Sequence, residues 1–190
     1  MHQSKVPQLR FPDFMVDWKR IRLKEVSKYF NGGSYENDVK NKGKYELITL
    51  KSIDMDGKLV NSYRYIDREV STLNKDTLVM ILSEQAPGLI GMTAVIPSDN
   101  KYVLNQRVAE IRPNQKVDSY FLSQVINRNQ RYFSKHGAGT KVQNISKPNV
   151  EKFEFLFPLY AEQRKIASFL TAVDSKIEKL TRKKELLEEY

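Results

Sequence analysis

The sequence predicts an α/β domain, α+β-like in character, with a mixed β-sheet, a packed helix and then a long C-terminal coiled-coil helix. Three observations lead to it. Short apolar or alternating runs, bounded by Gly, Pro, Asn and Asp, recur from Tyr45 to Leu159, as strands joined by turns do. Between Val117 and Lys135 the apolar residues change to a helical period, and from Ile166 a narrow apolar seam runs to Leu187. The expected division is a globular domain over residues 1–160 and a helix over residues 161–190.

In chain order, Pro7 and Pro12 with Phe11, Phe14 and Trp18 suggest an extended arm that lays its rings on the body. Ile21, Leu23, Val26 and Phe30 fit a short helix that Asn31, Gly32 and Gly33 stop. Asn31 to Lys44 is a polar loop with almost no apolar content. Tyr45 to Ile53 and Leu59 to Ile66 read as a hairpin turning at Asp56 and Gly57. Thr77 to Leu82 is apolar on both faces, as a central strand should be, and Met92 to Ile96 is a shorter strand. Tyr102 to Ile111 reads as one strand interrupted by the polar triplet Asn105, Gln106 and Arg107. Val117 to Lys135 is one helix with Asp118 as its N-cap. Phe153, Phe155, Phe157 and Leu159 alternate strictly, so Lys152 to Leu159 is a half-buried strand, with Pro158 near an edge or end.

The seam residues Ile166, Leu170, Val173, Ile177, Leu180 and Leu187 recur at spacings of three and four, interrupted once by Lys184. That is the a/d pattern of a helix that pairs with another helix; an amphipathic helix lying on its own domain is the alternative. Glu178 and Arg182 are spaced for an i,i+4 pair. The chain stops at Tyr190 without the usual stop residues, which suggests a helix cut short.

Composition narrows the function. Cysteine is absent, so no disulfide framework or Cys-based zinc site is possible. No stretch resembles a signal peptide or spans a bilayer, and a cytoplasmic location is expected. The net charge is +9, and residues 161–190 hold seven Lys/Arg against six Asp/Glu, so the excess sits on the globular part. A basic body favours a polyanion partner, most simply nucleic acid, although a merely basic protein fits the charge equally well.

The search for chemistry returns negatives. There is no dinucleotide fingerprint, Walker loop, amino-methyltransferase segment or His-rich metal spacing. Of the two histidines, His2 lies beside the terminus and His136 opens a glycine loop, which leaves triad or zinc chemistry little support. Asp13, Asp17 and Lys19 imitate a metal-dependent nuclease pattern, but their spacing is too tight for carboxylates on two strands. What remains are polar loops carrying side chains that pair with phosphates and base edges. The candidates are Ser34, Tyr35, Lys42 and Lys44 in the first loop, Gln85 in the second, Arg107, and His136, Thr140, Lys141, Gln143 and Asn144 in the third. Solvated surface loops would look similar. The triplet itself has two readings, a buried network or a DNA contact through Arg107.

Five stretches then carry a resemblance. Trp18 to Val26 (WKRIRLKEV) with Phe30 to Gly33, Lys75 to Ile81, Leu104 to Val108, Gly137 to Ile145, and Phe157 to Leu159 followed by Glu162 to Ala167, Leu170, Asp174 and Ile177 resemble, in order and spacing, a target recognition domain of the specificity subunit of type I restriction-modification systems. The resemblance covers essentially the whole chain. It implies a non-catalytic subunit that reads half of a bipartite double-stranded DNA target and directs adenine methylation and cleavage by its partners. A full specificity subunit is similar to two such halves in tandem, whose long helices pack antiparallel as a ruler. The implied partners are modification subunits, a restriction subunit and a second specificity half, which for a natural half-subunit would be a second copy. S-adenosylmethionine, Mg2+ and ATP belong by this resemblance to the partner subunits, and none to this chain. Glu162 and Gln163 would be capping or docking groups. Two other classes stay open: a general or RNA-directed nucleic-acid module, and a coiled-coil interaction protein with incidental basicity.

Overall fold

The computed structural model describes residue 7, residues 9–84 and residues 88–188; His2, Gln85, Pro87 and Tyr190 lie outside them. In order the elements are β1 (Lys19–Arg22), α1 (Leu23–Val26), β2 (Ser27–Asn31), a 3-10 turn (Glu36–Asp38), β3 (Tyr45–Ile48), β4 (Tyr65–Ile66), β5 (Leu78–Ile81), β6 (Ser83–Glu84), β7 (Thr93–Val95), β8 (Tyr102–Leu104), β9 (Val108–Pro113), α2 (Ser119–Asn127), α3 (Gln130–His136), β10 (Gln143–Asn144), α4 (Lys147–Glu151), β11 (Glu154–Phe157) and α5 (Tyr160–Glu188). The mixed α/β architecture and the long terminal helix are those expected.

The largest sheet is antiparallel, in the order β2-β9-β5-β7. β5 is central in its burial as well as its position. Leu78 and Met80 face a core shared with α1, α2, α3, α4 and β11, and Val79 and Ile81 face a second core shared with Ile48, Tyr102 and Leu104. This is why its sequence is apolar at every residue. The second sheet, β4-β3-β8, is mixed, because β3 runs antiparallel to β4 and parallel to β8. The aromatic alternation ahead of α5 is real: Phe153 and Phe155 are buried and stacked at 5.7 Å, and β11 pairs, among the described residues, with β1 alone.

Several elements differ from the sequence reading. Ile21 to Phe30 is not a helix; α1 is a single turn between two strands. Its apolar residues Leu23 and Val26 are buried, while Tyr29 and Phe30 belong to β2, where pairing with β9 outcompetes helix propensity. The hairpin forms but is less regular than expected: Tyr45 pairs with Ile66 and Glu46 with Tyr65, Leu47 donates to the Arg64 carbonyl, and Val60 donates to the Ser52 carbonyl before a bridge between Ile53 and Leu59. Tyr102 to Ile111 is two strands in two different sheets, and the polar triplet is the turn between them. Val117 to Lys135 is two helices. Asp118 does cap the first, accepting from the Phe121 amide at 2.9 Å. The first helix ends where the Asn129 side chain donates to the Val125 carbonyl at 2.7 Å, and its last residue, Asn127, turns inward, accepting from the Thr93 amide and donating to the Thr93 carbonyl. It thereby satisfies the backbone of edge strand β7. The arm packs as expected, with Phe11 edge-on to Phe169 at 5.9 Å and Trp18 edge-on to Phe121 at 6.4 Å.

α5 begins as part of the domain. Glu162 and Gln163 are buried, and Gln163 accepts from the Asp118 amide and donates to the carbonyls of Lys116 and Pro158. Arg10 grips Glu162 through two bonds of 2.7 and 2.8 Å. Further along, Tyr120 of α2 donates to Asp174, and Lys58 pairs with Glu178. Burial pushes the Tyr120 phenol up to about 12, and the Asp174 carboxylate adds to the rise. Glu178 therefore meets Lys58 and not Arg182. From Thr171 to Glu188 every residue is exposed.

Candidate nucleic-acid interface

The triplet between β8 and β9 divides its work residue by residue. Asn105 is 2% exposed. Its amide donates to Glu36 at 2.8 Å, its carbonyl oxygen accepts from the Tyr35 amide at 3.4 Å, and its backbone N–H reaches the Ile48 carbonyl at 3.0 Å. The Asn105 hydrogen bond holds the Glu36 carboxyl below its usual range, with further help from Arg64 and Arg107. Gly32 lies so close that a Cβ there would sit 1.8 Å from the Asn105 carbonyl oxygen. Locked from three sides, the turn holds Arg107 at a φ of 65°, a left-handed backbone that a non-glycine residue adopts only when its surroundings impose it. Gln106 and Arg107 are exposed at its tip.

Two shallow concavities meet at this tip and share Leu50 and Arg107. One is lined by Ile81, Ser83, Glu84, Leu89 and Val142, the other by Glu36, Thr49, Lys51, Arg64, Asn105 and Gln106. The glycine loop arrives here because β10 pairs with β6, placing Gln143 opposite Glu84 and Asn144 opposite Ser83. Gly139 has a φ of 132°, and a Cβ there would lie 2.0 Å from the Val142 carbonyl oxygen, so the loop closes on itself only with glycine. Glu84 faces inward: its carboxylate accepts from the amides of Gly88, Leu89 and Ile90 at 2.7 to 3.0 Å. With Glu84 turned in and Glu36 bonded to Arg64 and Asn105, the outward charges on the joined surface are Lys51, Arg107 and, on the glycine loop, Lys141.

A family model, type I restriction modification DNA specificity domain, matches residues 15–189. The chain belongs to this family. Its solved structural neighbours agree in fold. A type I restriction-modification system S subunit from M. genitalium is 19% identical over 94% of this chain and 44% of that one, with a TM-score of 0.66. The HsdS subunit from Thermoanaerobacter tengcongensis gives 18%, 93%, 41% and 0.64. A chain from work on complex assembly and conformational transition of the type I R-M system gives 18%, 93%, 42% and 0.69. This specificity domain therefore spans less than half the length of the solved chains it matches.

The specificity domain gathers some of the residues singled out from sequence and scatters others. Arg107 lines both concavities, Gln143 and Asn144 stand opposite Glu84 and Ser83 of one of them, and Thr140 and Lys141 are exposed on the adjoining glycine loop; the Asn144 side chain is partly spent, accepting from Ser83 and donating to the Val142 carbonyl. Ser34 is exposed, and Tyr35 is half-buried beneath the Arg68 guanidinium. His136 is the last residue of α3; its ring lies on Tyr132 at 4.2 Å and its Nδ1 meets the Tyr132 carbonyl at 2.8 Å. That is a helix-end role at the rim. Lys42 and Lys44 stand at the entry of β3 while Lys51 follows its exit, a separation of at least about 13 Å along the strand. Lys44 is held by Glu69, and its pKa is raised chiefly by that bond. Gln85 lies outside the described residues. Sequence reading missed Gln106, Lys51 and Arg64. Gln106 had a signal, its place in a polar triplet; Lys51 and Arg64 had none. Among the described residues no group of three or more acidic or histidine side chains could hold a metal ion, and no helix is long and apolar enough to cross a membrane.

Proposed function

We propose that this chain reads one half of a split duplex DNA target and hands that position to partner subunits that methylate adenine and cleave. The single observation that carries the reading is the locked turn at Asn105, which presents Gln106 and Arg107 between the glycine loop and Lys51 in a specificity-domain fold. Arg107 is suited to guanine or phosphate, and Gln106, Gln143 and Asn144 to base edges, each good bidentate pair being worth roughly 1 to 3 kcal/mol. Lys51 and Lys141 supply phosphate contacts. In this reading Ser34 and Tyr35 flank the surface, and Lys42 and Lys44 contribute only long-range charge. α5 pairs with the helix of a second specificity half. S-adenosylmethionine, Mg2+ and ATP act on the modification and restriction subunits.

The test is selection of duplexes from a randomised pool at raised salt. One enriched half-site is expected, and it disappears when Lys141, Gln143 and Asn144 are replaced together by Ala. Equal retention of all duplexes, or of single-stranded RNA in preference, refutes sequence-specific DNA reading.

A further inference from the structure

Glu84 is 7% exposed, and the bonds that turn it inward all end on one oxygen: the amides of Gly88, Leu89 and Ile90 donate to Oε2 at 2.7 to 3.0 Å. Among the described residues nothing donates to the other oxygen, Oε1. The buried side-chain polar atoms without a partner belong, among the described residues, to Trp18 and Gln130, so Oε1 of Glu84 is open to solvent. The concavity that Glu84 lines together with Arg107 has apolar walls from Leu50, Leu89 and Val142. Ser83, its other polar side chain, is engaged with Asn144. Oε1 is therefore the charged acceptor of a concavity whose donor is Arg107.

We propose that Glu84 reads a base: Oε1 accepts from the exocyclic amino group of a cytosine or an adenine, beside the group taken by Arg107. This rests on the DNA reading of the proposed function and adds a specificity-determining residue to it. A carboxylate on a surface that meets phosphates costs affinity. The three amides do not require one, because a neutral amide carbonyl would accept from the same N–H groups. What the carboxylate adds is acceptor-only chemistry. With Oε2 occupied, Oε1 takes an N–H donor and rejects O6 and N7 of guanine and O4 of thymine. The apolar walls keep water from competing, which strengthens the correct contact and leaves a wrong one unpaired at a cost. Arg107 is the complement, with donors and no acceptor. Side by side, the two match a G·C pair, whose guanine offers O6 and N7 and whose cytosine offers the N4 amino group.

The experiment selects duplexes from a randomised pool with the full wild-type chain and with Glu84→Gln, whose fold is checked by a circular dichroism melt. The three amides fix the orientation of the substituted side chain, since only its carbonyl oxygen can accept from them, and its NH2 group then stands where Oε1 stood. One position of the half-site therefore changes from an amino base to the base with a carbonyl oxygen in the same place. The change is cytosine to thymine or adenine to guanine, and which one occurs identifies the source of the amino group. Each protein prefers its own half-site over the other's by about 5- to 150-fold. The same half-site from both proteins overturns the proposal and leaves DNA reading standing; no half-site from the wild type overturns both. If the variant does not fold, the wild type decides alone. Removing the amino group from each cytosine or adenine of its half-site in turn, with 2-pyrimidinone or purine in its place, lowers affinity at least about fivefold at one position. No loss at any position overturns the proposal.

Discussion

Gly32→Ala is the sharpest test of how the turn at Asn105 is held. The glycine has no special backbone angle; its role is space. An added Cβ would lie 1.8 Å from the Asn105 carbonyl oxygen, 2.5 Å from its carbonyl carbon and 2.9 Å from the Leu104 oxygen. Carbon and oxygen pack no closer than about 3.3 Å, so the end of β2 and the turn must part by roughly 1.5 Å. That separation strains the bonds from Gly32 to the Val108 carbonyl (3.2 Å) and from Gly33 to the Leu104 carbonyl (3.0 Å). At about 1 kcal/mol for each of these, with overpacking strain of about 1 to 3 kcal/mol, the loss is roughly 3 to 5 kcal/mol. For a chain of this length the melting temperature should fall by roughly 6 to 20 °C, read by calorimetry. DNA affinity, measured at a temperature where both proteins are folded, should fall further because Arg107 moves with the turn. An unchanged melting temperature refutes the close approach; a lower one with unchanged DNA affinity refutes Arg107 as a reader.

Arg10→Ala should lower the melting temperature by several degrees, because the Glu162 carboxylate, 1% exposed, is left buried without its cation; adding Glu162→Leu should recover much of the loss, as replacing both members of a buried pair is far less damaging than removing one. If the double variant melts no higher than the single one, the ion pair is not the source of the effect. Glu46 provides a pH test. It is 5% exposed, and burial holds its carboxyl above the usual range, so the native state binds that proton more readily than the unfolded chain. The resulting stability is fully present below the unfolded value of about 4.3 and is lost as pH rises through the folded value. Glu46→Gln should therefore raise the melting temperature at pH 7 and change it little near pH 4; the opposite pattern would show that the ion pair with Lys101, at 3.9 Å, outweighs burial.

The sequence revealed those elements whose burial follows a simple period. β5 was legible because both its faces are core, β11 because Phe153 and Phe155 alternate inward, and α5 because its seam runs on beyond the domain. The boundary between α2 and α3 was not, since the apolar period continues across Arg128 and Asn129, and the inward bonds of Asn127 at the end of α2 are made to Thr93, 34 positions away. α4 was missed at five residues, too short for a period, although Ser146 followed by Pro148 is a start signal. The candidate surface was legible in part. Polar triplets and glycine loops advertise themselves, and the shared surface of Arg107 and Gln143 follows from a two-residue strand pairing that no local pattern announces. Lys44 shows the converse: a lysine in a polar loop looks available until the fold sets Glu69 beside it, 25 positions on.

The attachment of α5 along the domain, by Gln163 and Glu162 at its root and by Asp174 and Glu178 farther out, turns it into a lever arm with a stiff base. Its 29 residues reach about 44 Å at 1.5 Å per residue, so a tilt of about 5° at the base would swing the tip by nearly 4 Å. One base-pair step is about 3.4 Å. In the proposed reading, where α5 sets the distance between two half-sites, that angle has to be held within a few degrees, and a single hydrogen bond such as Tyr120 to Asp174, placed well out from the pivot, constrains it more effectively than any contact at the root.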